Sequence, residues 1–257
     1  MIAPMKVGTG TERGLHFVKD KKPLVSSLTE MDSGGANHYI DLAKRVFGKT
    51  HLVLTKSVGV HSEEIPIILR KGPHVSVESF DVWPISPDVG EMGTGNDRYL
   101  ARLRFRYWLH TYVLLATHTN AAVQHVIGRP GHAPTYEIFS NERWHVSIPA
   151  WEFIEEKAAE AIKDTKVSGV FLQGDFNIMP EGEGRTNPHS PHNVTKRLGM
   201  KYHNERVTWL CWWGMHPVQP VTEFPPGHNG WPSDHAALLG RFKRSAKGFQ
   251  RKVQTLP

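Results

Sequence analysis

The stretch that most restricts what this chain can fold into is Gly174-Asp175-Phe176-Asn177. It closes an apolar run over 167–172, rich in β-branched and aromatic residues, and it opens a loop rich in Pro and Gly. The run reads as a buried strand, so the motif sits where a strand runs out. Glycine at such a place lets the backbone pass close to a neighbour or ligand. On an extended chain the Asp175 carboxylate and the Asn177 amide, two residues apart, point to one side. A pair of that kind can hold a phosphate or the water that attacks it. A strand-end Asp also has a plainer use, as a turn residue bonding its own backbone.

Three further polar groups border apolar runs. Ser233-Asp234-His235 leads into an apolar stretch over 236–242, and an adjacent Asp and His suits metal ligation and general-base chemistry. Leu28-Thr29-Glu30 closes a short apolar run near the start, and the run over 112–117 ends on His118. In this order, Glu30, His118, Gly174-Asp175-Phe176-Asn177 and Ser233-Asp234-His235 resemble the endonuclease/exonuclease/phosphatase superfamily across roughly residues 24–243.

The resemblance implies an α/β fold, a four-layer sandwich of two packed β-sheets flanked by helices, with the site built from loops at one end. It implies a phosphodiesterase dependent on Mg2+ or Mn2+. Glu30 and Asp234 would hold the metal, His235 would act as base for the attacking water, Asp175 and Asn177 would position water and phosphate, and His118 would stabilise the phosphate or the leaving group. Oxygen ligands suit magnesium, which keeps several waters. Read plainly, Glu30 could instead cap the helix that follows it. The family also carries an aspartate that orients the last histidine. Depending on register, Glu205 or Thr208 takes that place, and Glu205 is the first candidate. The asparagine that ends the family's first strand has no counterpart before Asn37.

With 257 residues, the chain fits one domain over 1–243 and a basic tail over 244–257. Hydrophobic residues at 39% and charged ones at 22% are ordinary for a globular protein, and no apolar stretch approaches the roughly 20 residues that span a bilayer. The single cysteine, Cys211, cannot form an internal disulfide, and the N-terminus lacks the apolar core of a secretory signal, so a reducing, cytoplasmic setting is expected. A formal net charge of +6 favours an anionic partner such as nucleic acid, although moderate positive charge also simply aids solubility.

Taken in order, residues 6–9 and 15–18 read as two short strands, and 24–30 as a strand delivering Glu30. A helical face over 39–47 stops at Gly48, and strands are expected over 51–60, 64–70 and 75–82. Arg102, Arg104 and Arg106 alternate with Leu103, Phe105 and Tyr107, which puts three arginines on one strand face, either solvated or against a phosphate backbone. Residues 126–134 read as a loop and 149–163 as the clearest helix, with Pro149 in its first turn. A short helix over 194–198 ends at Gly199. His189 and His192 lack the spacing of a zinc site.

The segment over 212–231 holds Trp212, Trp213, Phe224 and Trp231 among prolines, next to Asp234 and His235. Trp212 and Trp213 alternate on a strand, so one must face inward. Phe224 and Trp231, with Pro and Gly neighbours, are the candidates for stacking on unpaired bases. In the abasic-site branch of the family, aromatics from this region line the pocket for the damaged nucleotide, which favours DNA as substrate. Two other readings stay open: a phosphatase of a small phosphorylated molecule, and a non-catalytic nucleic-acid-binding protein that kept the fold.

Overall fold

The computed structural model describes residues 11–29, 38–59, 65–86, 98–119, 124–127, 135–138, 142–181, 183–225 and 236–244. Its first element is a helix, α1 (Thr11–Asp20), in which Leu15 and Val18 are fully buried three residues apart. The strand expected over 15–18 is therefore corrected: a four-residue alternation cannot be told from one face of a helix until its partner is known. That partner is α2 (His38–Phe47), whose Ile40, Ala43 and Phe47 recur at three- and four-residue steps and pack with Leu15 and Val18.

Three short strands, β1 (Val25–Ser27), β2 (His51–Leu54) and β3 (Ile67–Arg70), form an antiparallel sheet in the order β1-β3-β2. Along β3 the faces alternate. Ile67 and Leu69 turn to the core between the sheets, and Ile68 turns to the core under α1 and α2. The strand expected over 51–60 ends at Leu54, and that expected over 75–82 runs further, as β4 (Val75–Ser86).

β4 is the edge of the larger sheet, next to β5 (Arg98–Tyr107) and β6 (His110–His118). β7 (Gln124–Ile127) and β8 (Thr135–Ile138) pair antiparallel, so the first two residues of the loop expected over 126–134 belong to a strand, and residues 128–134 lie outside the described ones. Helix α3 (Glu142–Lys163) then returns the chain to β9 (Val167–Asp175), which lies parallel to β6. This helix starts seven residues before Pro149, so Pro149 is interior rather than in the first turn. The residue is exposed, so the backbone carbonyl that loses its N–H donor there faces the wet side of the helix. Trp151, Ile154, Ala158 and Ala161 make the buried stripe against the sheet.

Two short helices, α4 (Glu183–Thr186) and α5 (Pro191–Arg197), precede the hairpin of β10 (Lys201–Glu205) and β11 (Thr208–Trp213). Ser190 caps α5, and Gly199 follows it at φ +64°. The large sheet runs β10-β11-β9-β6-β5-β4, antiparallel except for β6 and β9. Four more strands, β12 (Met215–Pro217), β13 (Thr222–Phe224), β14 (Ala237–Leu239) and β15 (Phe242–Arg244), pair as β13 with β14 and β12 with β15. β15 includes Arg244, one residue past the expected domain boundary.

Period-2 alternation assigns the layers. In β6, Val113 and Leu115 meet α3, whereas Leu114 and Ala116 enter the core between the sheets. In β14, Leu238 joins that central core, and Ala237 and Leu239 join the one beneath α1 and α2. The result is helix, large sheet, smaller sheets, helices: the expected four-layer sandwich. Gln173 of β9 crosses the middle by donating from Nε2 to the Ser27 hydroxyl of β1 at 2.6 Å, with both side chains fully buried.

Candidate active site at the ends of the central strands

β6 and β9 are neighbours and parallel, so they end together, and the pairing sets His118 directly beside Asp175. β11 runs the opposite way and begins where they end, placing Thr208 on the other side of Asp175. Three strand termini thus meet at one edge of the sheet. His118, Asp175 and Thr208 are all buried there. His118 Nε2 stands 4.0 Å from Asp175 Oδ2, close enough for both to face one small group.

The segment after Asp175 is held on both sides. Thr119 N–H donates to the Asp175 carbonyl at 3.0 Å, Thr119 Oγ1 to the Phe176 carbonyl at 2.6 Å, and Asn177 Nδ2 to the Thr119 carbonyl at 2.8 Å. From the other side, Phe176 N–H donates to the Val207 carbonyl at 2.9 Å. Phe176 is fully buried, edge-on to Trp151 at 5.0 Å and stacked near Trp209 at 5.7 Å. The aromatic residue in the motif is thus the anchor that fixes the polar residues on either side of it.

Asn177 differs from the expected geometry. The strand stops at Asp175, and Asn177 adopts φ +51°, with its backbone N–H donating to Asp175 Oδ1 at 2.9 Å. Asp175 therefore does bond its own backbone two residues on, and the left-handed residue is an asparagine, the side chain that tolerates this best. The turn and the site are one structure rather than rival explanations.

Arg98, the first residue of β5, is buried, and its Nη1 donates to His118 Nδ1 at 3.0 Å. The other arginines of that strand are spent elsewhere. Arg102 pairs with Asp81, Arg104 with Glu78 and Asp164, and Arg106 with Glu78. The Glu78 and Asp164 carboxyls are held below the usual carboxylate range, Glu78 chiefly by its bond from Arg104 and Asp164 by the Lys166 backbone N–H and then Arg104. The three heads stay partly exposed, as on a solvated face, with their charge taken up by these carboxylates rather than left for a phosphate backbone.

Of the remaining expected residues, Glu205 ends β10 opposite Thr208, one strand further from Asp175 than Thr208 is. Thr208 is the residue that reaches the strand termini, and its hydroxyl is buried with no protein partner among the described residues. Phe224 is corrected: it belongs to β13, is buried, and packs edge-on to Phe17 at 5.0 Å. A ring enclosed in that way is core, not a platform for a base. Trp212 enters the core between the sheets and Trp213 packs on the α3 side. Glu30, Trp231, Asp234 and His235 lie outside the described residues.

No three His, Cys, Asp or Glu side chains come together as a metal site among the described residues. What this edge offers is carboxylate, amide and hydroxyl oxygen beside an imidazole, with the Thr208 hydroxyl still to be satisfied. The one thiol, Cys211, is fully buried, and burial pushes its pKa far up. That donor chemistry fits a hard divalent cation such as magnesium and not a thiolate-bound metal.

Solved structures share the fold that brings these strand ends together. An endonuclease/exonuclease/phosphatase from Bacteroides vulgatus is 11% identical with a TM-score of 0.64, covering 95% of this chain and 100% of that one. The chain has the endonuclease/exonuclease/phosphatase fold. A mannosyl-6-phosphatase from Bacteroides thetaiotaomicron shares the fold at 11% identity and a TM-score of 0.60, over 95% and 99% of the two chains. So does D. rerio TDP2 in complex with a single-strand DNA product, at 12% identity and 0.59, over 94% and 97%. No family model matches the sequence, and no curated protein does. At these identities the fold survives while little of the sequence does.

Proposed function

We propose that this protein is a divalent-metal-dependent phosphodiesterase acting on nucleic acid, with DNA the favoured substrate. The observation that carries the reading is the juxtaposition of His118 and Asp175, buried and 4.0 Å apart at the ends of two parallel strands in this fold. In the proposed reaction a water oxygen forms a bond to phosphorus, and the ester P–O bond on the opposite side breaks. His235 takes the water's proton. Asp175 and Asn177, locked to each other and to Thr119, hold the water and the phosphate in line. His118 donates a hydrogen bond to the phosphate or protonates the departing oxygen. Glu30 and Asp234 would hold magnesium or manganese, which when bound neutralises charge developing on the phosphate.

Choice of substrate rests on the net charge of +6, on Trp231 as a stacking residue, and on the single-strand DNA product carried by the TDP2 structure. The mannosyl-6-phosphatase of the same fold keeps a small phosphorylated substrate in view. One assay separates them. Purified protein is incubated with supercoiled plasmid, an abasic oligonucleotide, RNA and a panel of sugar and inositol phosphates, with magnesium, with manganese or with chelator. Cleavage of DNA that stops on chelation is the expected result. Turnover of the small phosphates alone would replace the proposal with a phosphatase, and no turnover of any substrate would leave a binding protein of this fold.

A further inference from the structure

We infer that Arg98 is a positioning residue for His118, fixing which ring nitrogen carries the proton. The inference rests on the catalytic reading of His118 given above, but its geometry is independent of any substrate. A guanidinium donates and never accepts, so the 3.0 Å contact from Arg98 Nη1 requires His118 Nδ1 to be the accepting nitrogen. The proton of the ring then sits on Nε2, the nitrogen that stands 4.0 Å from Asp175 Oδ2. The donor His118 needs toward a phosphate is thereby present in the resting protein.

The fold holds this pair by two strand registers and a hydrogen bond. Arg98 opens β5 opposite Ser86 of β4, Leu100 pairs with Thr117 of β6, and the Thr117 hydroxyl donates to the Tyr99 carbonyl at 2.9 Å. The start of β5 is therefore pinned beside the end of β6. Arg98 and His118 are 5% and 3% exposed, so water competes little for the contact. Burying a guanidinium is costly, and the other even-numbered arginines of the strand, 102, 104 and 106, keep partly exposed heads beside carboxylates. Arg98 alone of these is spent on a histidine of the site.

The test reads the tautomer directly, without relying on turnover. Long-range proton–nitrogen NMR of the histidine side chains, with His118 assigned by its loss in His118→Gln, should show an accepting Nδ1 and a protonated Nε2 in the unmodified protein. In Arg98→Met that single form should give way to a mixture or to the other tautomer. A protonated Nδ1 in the unmodified protein, or an unchanged His118 signature in Arg98→Met, overturns the inference. Should Arg98→Met fail to fold, Arg98→Lys keeps the charge but not the planar fork, and a drift from the pure Nε2–H form is expected there too. If the protein hydrolyses a phosphodiester, Arg98→Met should lower kcat by about 10- to 100-fold with KM little changed, the usual cost of losing a residue that orients another. It should add nothing in the His118→Gln background, and a full additive loss there would assign Arg98 a role other than through His118. Failure of every activity assay would count against the proposed function, while the NMR result would stand by itself.

Discussion

Gly174 lies so close to the carbonyl of Thr117 that a methyl group in its place would overlap the oxygen. The two residues are paired across the parallel strands β6 and β9, one position before His118 and Asp175. The glycine of the motif is therefore what lets those strands close up and set the histidine beside the carboxylate. Gly174→Ala must push the strands apart at the site. The expected cost is about 1–3 kcal/mol of stability, on the scale of overpacking in a tight interior, read as a fall in Tm. A variant as stable as the parent would show that the approach is not needed.

Asp175→Asn isolates chemistry from architecture. The new amide keeps an oxygen to accept the Asn177 N–H, now at 2.9 Å from Oδ1, so the turn should persist. His118→Gln likewise retains an oxygen that can accept from Arg98. Each variant should keep near-normal circular dichroism and lose more than about 100-fold in phosphodiester turnover, the range of general acid-base effects. Near-normal turnover by either would remove that residue from the proposed mechanism.

Those four residues also show how far the sequence could be read. Strand, glycine and polar motif were legible over 167–177 because a continuous apolar run followed by Gly-Asp leaves few local alternatives. The partnership of His118 with Asp175 rests on resemblance, since a separation of 57 positions hides a parallel pairing that only a crossover helix brings about. Arg98 has no sequence signal to set it apart, because strand parity gives 98, 102, 104 and 106 one face and is silent on where along a strand burial begins. Phe224 looked like a loop residue because three residues are too short for alternation to show, although its pairing with Ala237 makes it core. Thr208 enters only as the alternative to Glu205 that the resemblance leaves open, because a threonine before a tryptophan marks a strand and not a site.

A pH dependence of stability should come from His51. Its ring is 4% exposed, shares a 2.8 Å hydrogen bond with Thr50 Oγ1 through Nδ1, and meets Phe47 edge-on at 5.1 Å. Burial, and then the charges of Arg70, Lys19 and Lys71, push its pKa down to about 4 from 6.5. The folded value lies below the unfolded one, so the protonated ring favours the unfolded chain. Its contribution is complete above pH 6.5 and is lost as pH falls toward 4. The gap corresponds to on the order of 3 kcal/mol. His51→Gln, which cannot take up the proton, should lose less stability between pH 7 and pH 4 than the parent by that order, measured by urea unfolding. Parallel curves for the two proteins would assign the acid sensitivity elsewhere.

The final prediction separates two aromatic residues that the sequence treats alike. Phe224 closes the core beneath α1, against Phe17, with Leu28 and Leu239 in the same cluster. Truncating it to Ala should cost about 3–5 kcal/mol, as removal of a buried phenyl ring does. At a temperature where the variant remains folded, its affinity for single-stranded DNA should be unchanged. Trp231 should behave in the opposite way if it stacks on a base. Trp231→Ala is expected to weaken binding of a single-stranded oligonucleotide by roughly 1–3 kcal/mol while leaving Tm and the hydrolysis of a small phosphodiester intact. The contrast is the informative quantity, because a general loss of structure would move all three readouts together. A sharp fall in the Tm of Trp231→Ala, or equal slowing of DNA and small-substrate hydrolysis, would make Trp231 scaffold and withdraw the argument for a DNA substrate that depends on it.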